Sequence, residues 1–303
     1  SVYYDGETPT NTAETNPEDY QFIGWDVLAE NIQGNTNCYA QFRYIGMAYK
    51  RLLDGGVAGS FENTDATVIG NYGMSHFENA TSISLPNVES VGHHAFYFDS
   101  YGSKTTHISL PRATTIGDEA FCSQRSLETV DLPLVETLGK HAFQNCSKLK
   151  TISLPEITAL PEYTFYACTA LESVSVPKLA EIGTQVFYNT AIKAISLPDT
   201  LTKIGQYAFG SCNSLEEIMI PAGVTMINQN AFRDCKALRR VIFLGRPTTI
   251  YNSVFSNCTA LEDIYVPWEY GQVANAPWGA TNATVHYVDE GWQAELLAEQ
   301  SSE

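Results

Sequence analysis

The most reactive side chains in this sequence are cysteines that recur in one position. Each follows a phenylalanine by three residues, in segments such as "HAFQNC" and "YTFYAC", and the set is Cys146, Cys168, Cys212, Cys235 and Cys258. Such a column could be a metal site, a ladder of disulfides or a row of small buried spacers. Zinc sites typically use C-x₂₋₄-C pairs, which this sequence lacks. Disulfides between adjacent copies are sterically conceivable, but the run of three at the end leaves the pairs uneven. We therefore predict reduced, buried, metal-free thiols.

No other arrangement of side chains indicates catalysis. The sequence has no G-x-S-x-G, no H-E-x-x-H and no P-loop pattern. The adjacent His93 and His94 fall at a predicted turn, where solvated histidines are more common than metal ligands. The acidic stretch "NTAETNPEDY" does not have the spacing of a calcium-binding loop. We predict that the chain is not an enzyme and that it has no cofactor and no metal site.

The composition favours strands and turns, and it argues against several classes of partner. The 21 Gly and 17 Tyr, with abundant Ser and Thr, are typical of strand-rich folds. A net charge of −17 argues against nucleic acid and anionic lipid as partners. No apolar run is long enough to span a bilayer, so we expect no direct membrane insertion. The opening "SVYYDGETPT" lacks the apolar core of a signal peptide, so we expect a fragment or a mature product.

An internal repeat determines the predicted architecture. Each copy has an Ile, Val or Leu, usually followed by Gly, before a central Phe, and an I-x-L segment that usually ends in Pro after it. A single copy is too small to bury its own apolar face, so neighbouring copies must stack with parallel strands. Eight clear copies follow a degenerate first one, and their central residues recur every 22 to 25 positions: Phe96, Phe121, Phe143, Phe165, Phe187, Phe209, Phe232 and Phe255.

The segments "LKTISLPEITALPEYTFYACTA" and "LTKIGQYAFGSCNSLEEIMIP" resemble the BspA-like leucine-rich repeats of bacterial surface proteins. The resemblance covers residues 69–266. It implies an α/β-type right-handed solenoid, with short parallel strands on one face and turns and short helical segments on the other. It also implies a cell-surface or secreted location and an adhesion function. Three departures stand out: the insertion "YFDSYGSKTTHI", a turn after Phe187 that is one residue short, and Leu244 where Pro is expected.

The two ends of the chain differ from the repeat. "YQFIGWDVLAENIQGNTNCYAQF" resembles the end of the Listeria–Bacteroides repeat, which implies part of a small all-β module over residues 1–44. Residues 45–68 would then be a linker and N-terminal cap. Residues 267–303 would be a C-terminal cap and tail, in which Trp268, Trp278 and Tyr287 cover the open end of the core.

The predicted strand face offers a candidate binding site. Most outward positions of the I-x-L segments are small and hydroxylic, but the last three copies differ. One outward column there is apolar and its neighbour alternates in charge: Met219, Ile242 and Tyr265 beside Glu217, Arg240 and Asp263. Exposed apolar patches rimmed by polar groups often mark contact sites. Alternatively, the chain covers the patch itself. The tail at 289–303 has Trp292 and Leu296 at helical spacing and could fold back over it, and its nearness in sequence slightly favours this self-coverage.

These features predict a non-enzymatic module that binds a protein or glycan ligand on a host or neighbouring cell. The first alternative is a structural spacer within a larger surface protein, without a partner of its own. The second, less favoured, is a carbohydrate-active enzyme, because no pair of carboxylates stands apart from the repeat. A spacer should have a uniformly polar strand face, whereas a binding module should have an anomalous patch.

Overall fold

The structure is a computed structural model that describes residues 58–74, 77, 79–97 and 103–288, and the backbone of three earlier strands. These strands are β1 (Gln21–Trp25), β2 (Ala40–Tyr44) and β3 (Met47–Tyr49), which pair antiparallel in the order β1-β2-β3. The rest of residues 1–57 lies outside the described residues, so the N-terminal all-β module stays a prediction.

From Gly59 onward the chain forms a parallel β-solenoid of about ten turns, which resembles a leucine-rich repeat. The I-x-L segments form a first row of strands. It comprises β4 (Gly59–Glu62), β6 (Ala80–Ser84), β8 (His107–Ser109), β10 (Thr129–Asp131), β12 (Thr151–Ser153), β14 (Ser173–Ser175), β17 (Glu217–Ile220), β19 (Arg240–Phe243), β21 (Asp263–Tyr265) and β22 (Thr284–His286). Parallel pairing therefore continues on both sides of the predicted repeat range.

A second row of two-residue strands lies on another side of each coil. These strands end at the residue before the position usually occupied by Gly, and they also pair in parallel. The row comprises β5 (Val68–Ile69), β7 (Ser90–Val91), β9 (Thr115–Ile116), β11 (Thr137–Leu138), β13 (Ala159–Leu160), β15 (Glu181–Ile182), β16 (Lys203–Ile204), β18 (Met226–Ile227) and β20 (Thr249–Ile250).

The prediction of short helical segments is wrong: the described residues contain no α-helix, and turns connect the two rows. The backbone explains this result. Positive φ angles occur on both sides of the central Phe of most coils, for example 59° at Tyr163 and 56° at Ala167. These left-handed residues are too close together for a run of helical residues to form between them.

The central phenylalanines form a continuous ladder through the core. All eight are fully buried, and successive rings lie 4.8–5.7 Å apart between centroids with interplanar angles of 1–25°. In strands such as β12 and β14 the middle residue is buried and its neighbours are exposed. The predicted stacking of copies around one apolar core is therefore confirmed.

The glycines of the repeat permit close approach between coils. A Cβ on Gly139 would lie 2.2 Å from the backbone N of Asp118, and one on Gly205 would lie 2.3 Å from the carbonyl O of Gly183. Real Cβ atoms do not come so close to backbone atoms, so a larger side chain would push the coils apart.

Aromatic side chains cover the C-terminal end of the core. Trp268 and Trp278 are 3% and 0% exposed, and their rings lie 5.4 and 5.7 Å from that of Phe243. Tyr287 is partly buried against the same core. Within the described part of the chain, no helix has the length and apolar character needed to cross a bilayer.

Candidate functional site

The cysteine thiols of the column form hydrogen bonds between successive coils, a structural role that the sequence did not indicate. Each thiol donates a hydrogen bond to the carbonyl O of the central Phe one coil earlier, at 3.0–3.1 Å. In an earlier coil the side-chain amide of Gln124 donates to the carbonyl of Phe96 in the same way. These carbonyls also accept a hydrogen bond within their own turn, for example from Cys146 N to Phe143 O at 3.2 Å, so the thiol is a second donor that links one coil to the next. The described cysteines, Cys122 and the five of the column, are free and buried, and the predicted burial of the column is therefore confirmed.

Burial makes two of these thiols, Cys146 and Cys235, unreactive. Desolvation raises the pKa of Cys146 and Cys235 well above that of an ordinary cysteine. The thiolate is the nucleophilic and metal-binding form of cysteine, so these side chains are poor candidates for either role at neutral pH.

The register of the first row brings the predicted binding residues together. Met219, Ile242 and Tyr265 are neighbours across β17, β19 and β21, and so are Glu217, Arg240 and Asp263. The Arg240 Nε lies 3.4 Å from a carboxylate oxygen of Glu217, whereas Asp263 accepts a hydrogen bond from His286 at 2.7 Å. The predicted adjacency of the two columns is therefore confirmed.

The predicted strip is nevertheless not an open apolar surface. Ile242 is 1% exposed, and Val241 and Phe243 beside it are also buried, so both faces of β19 are covered. Met219 and Tyr265 are half-buried, and the Tyr265 ring stacks on His286 with centroids 4.5 Å apart. A ligand thus cannot reach the side chain of Ile242. The tail at 289–303, the predicted alternative cover, lies outside the described residues.

An open groove lies beside the strip, where the first row is interrupted. Between β14 and β17, the coil at 192–197 forms no strand. Its preceding turn is short: Ile192 follows Phe187 by five positions, whereas the corresponding step is six positions in the other copies from Phe121 onward. Ile195 and Leu197 hold positions that are fully buried in most other coils, yet here they are half-buried.

The groove has a volume of about 300 Å³, and side chains from three successive coils form its walls. Most of the lining is apolar, and it includes two of the six residues predicted for the binding site. The lining residues are Ala194, Ile195, Ser196, Leu197, Glu217, Met219, Pro221 and Leu244.

Leu244 connects the groove to a second departure from the repeat. It stands where Pro is expected, and it is 45% exposed on the groove wall. Its backbone N donates to the carbonyl O of Ile220 at 2.9 Å, a bond that proline could not make. Both irregularities were visible in the sequence, but they are about fifty residues apart, and the stacking of coils brings them to one groove.

The fold defines a leucine-rich repeat protein in which irregular coils form a groove. Family models described as "BspA type Leucine rich repeat region" match residues 60–172, 97–192 and 180–276, with six copies. These ranges cover most of the chain, which therefore belongs to the BspA-type leucine-rich repeat family, as the repeat motifs predicted.

Several solved structures are similar to this chain. A leucine-rich repeat protein from Bacteroides ovatus is 19% identical, with 88% of this chain and 98% of that chain covered and a TM-score of 0.42. A leucine rich cell surface protein from Faecalibacterium prausnitzii is 20% identical, with 88% and 97% covered and a TM-score of 0.38. A leucine-rich repeat protein of T. pallidum is 25% identical, with 67% and 77% covered and a TM-score of 0.37. No curated protein matches the chain.

Proposed function

We propose that this chain is a non-enzymatic binding module of a bacterial surface or secreted protein, and that its groove binds an apolar segment of a protein partner. The observation that carries the proposal is the interruption at 192–197. A regular solenoid closes its strand face, whereas this interruption leaves partly exposed apolar side chains of three coils around one cavity. Apolar surface of this kind, rimmed by polar groups, is typical of a contact site.

The lining favours a protein partner over a glycan. Ser196 and Glu217 are the polar side chains among the eight lining residues, and the other six are apolar. An inserted Leu, Ile or Met side chain would bury that apolar surface. Glu217 at the edge and the net charge of −17 favour a partner with a basic residue next to its apolar one.

The spacer alternative retains one supporting observation. The outward residues of β10, β12 and β14 are small, polar and exposed, as expected of a surface without a partner. The two functions differ in what they predict for the groove. A spacer should tolerate a charge there without loss of any interaction, and a binding module should not.

A matched pair of substitutions tests the proposal. Leu244 and Leu134 are exposed to a similar extent, 45% and 47%, but Leu244 alone of the two lines the groove. A random peptide library displayed on phage should yield peptides with an apolar residue beside a basic one. We expect Leu244→Asp to weaken their binding by at least tenfold in calorimetry, and Leu134→Asp to leave it unchanged.

Circular dichroism and thermal unfolding would verify that both variants keep the fold. Failure to select any peptide, or equal binding by both variants, would favour the spacer. The predicted substitution Ile242→Asp is unsuitable as a test, because a charge at this buried position would destabilise the protein itself.

A further inference from the structure

Two histidines and a carboxylate meet at the N-terminal part of the solenoid. His94 and Glu119 each stand two residues before the central Phe of consecutive coils, and both have left-handed backbones with φ of 50° and 55°. Stacking brings His94 Nε2 to 3.1 Å from a Glu119 oxygen. His93 Nε2 lies 2.5 Å from the Nδ1 atom of His94. One potential ligand atom from each residue lies within 4.8 Å of the other two.

His94 can offer a metal ion either of its two ring nitrogens. Its Nε2 lies 3.1 Å from the Glu119 carboxylate, close to the roughly 3.3 Å between neighbouring ligand atoms of one zinc ion. A cation bound to His94 Nε2 would therefore have Glu119 as its next ligand, and His93 offers the third.

Aromatic rings restrict the surroundings of the three residues. The Tyr72 ring stacks on His94 with centroids 5.1 Å apart and an interplanar angle of 19°, and the Tyr97 ring packs edge-on at 5.1 Å. The side chain of His94 is 15% exposed, against 36% for Glu119. The site is therefore held on one side by packed rings and is open to solvent on the other.

We propose that His93, His94 and Glu119 bind a zinc ion. Two imidazole ligands and one carboxylate, with a further position for water, form a well-established ligand set for Zn²⁺. Zinc bond lengths of about 2.0–2.2 Å place neighbouring ligand atoms roughly 3.3 Å apart. The His93 ring must therefore turn from His94 Nδ1 towards the ion, which its partial exposure allows. The solvated histidine turn expected from the sequence is the alternative, and the titration below distinguishes the two.

Calorimetric titration of the full chain with zinc chloride at pH 7.5, after removal of metals with a chelator, tests the proposal. We expect one saturable site per chain. His94→Ala and Glu119→Gln should each weaken zinc binding by about tenfold or more, because each removes or neutralises a ligand and even outer-shell substitutions typically cost at least about tenfold in metal affinity. Lowering the pH to 5.5 should also weaken it, because protons compete for the imidazoles.

His107→Ala is the matched control. His107 also faces a carboxylate, with Nε2 3.5 Å from an Asp131 oxygen, but it lies outside the three-residue group. Its loss should leave zinc affinity unchanged. His93→Gln provides a second variant if His94→Ala disturbs folding, and circular dichroism would verify each. Absence of saturable binding, or equal weakening by His107→Ala, would overturn the site and indicate adventitious binding to surface histidines.

Discussion

Removal of one ring from the phenylalanine ladder should destabilise the solenoid strongly. Phe165 is 0% exposed and lies between Phe143 and Phe187, with centroids 5.5 and 5.7 Å away. Both neighbouring rings are nearly parallel to it, at 17° and 8°. Neighbouring coils are fixed by backbone hydrogen bonds on each side, such as Phe165 N to Val186 O at 2.9 Å, so the cavity left by Phe165→Ala cannot collapse fully. We expect a loss of about 3–5 kcal/mol in the free energy of unfolding.

Urea denaturation followed by circular dichroism would measure this loss. Because repeat proteins can unfold in parts, amide hydrogen exchange should confirm that the coils next to Phe165 lose protection. Tyr251→Ala is the matched control, since it removes a similar ring from a side chain that is 43% exposed, and it should change stability by no more than about 0.5 kcal/mol. A loss below about 1 kcal/mol for Phe165→Ala would refute the ladder as the spine of the core.

Three further predictions follow from the same coils. Cys168→Ala should cost about 1 kcal/mol, because it removes one of the two hydrogen bonds that the Phe143 carbonyl O accepts and leaves the one from Cys146 N. Cys168→Ser should cost less because a hydroxyl can still donate, and equal losses in urea denaturation would contradict this. Burial raises the pKa of Cys146 and Cys235 above 9.0, so above that pH only the unfolded chain releases these protons. The free energy of unfolding, measured in reductant, should therefore fall as the pH rises past 9.0. The fall should be less steep in Cys146→Val. Inserting one residue after Asn189 should restore the six-residue turn, let the coil at 192–197 pair with β17, and abolish binding of the selected peptides; unchanged peptide binding would show that the interruption does not create the site.

The repeat made most of the fold predictable from the sequence. The spacing of the phenylalanines identified the stacking unit, and the I-x-L alternation identified the first row of strands and the pairing of Met219 with Ile242. The turns were harder to predict. Their residues suit both helical and left-handed conformations, and the choice depends on backbone bonds to the next coil, such as Tyr163 N to Thr184 O at 2.9 Å. These bonds exist only after stacking.

The candidate site was only partly predictable for a related reason. Alternation along β19 correctly places Ile242 on the outward side, but whether that side is covered depends on parts of the chain distant in sequence. The groove needed three coils in register before Leu197 and Leu244 could line one cavity. Likewise, Glu119 is 25 residues from His94, and only their equal position within the repeat indicated that they would be neighbours.

A regular solenoid also gives a physical reason to propose binding where the repeat is irregular. Where copies are equivalent, each coil makes the same contacts with the next. A thiol donates a hydrogen bond to a phenylalanine carbonyl, a glycine allows the neighbouring backbone to come close, and one phenylalanine ring stacks on another. Such surfaces have little left with which to bind a partner. A shortened turn or a leucine in place of proline breaks this mutual satisfaction locally, while the coils on either side maintain the core. The stability of the regular coils therefore permits the irregular coils. Substitutions in regular coils should reduce the stability of the fold, whereas substitutions in irregular coils should reduce binding.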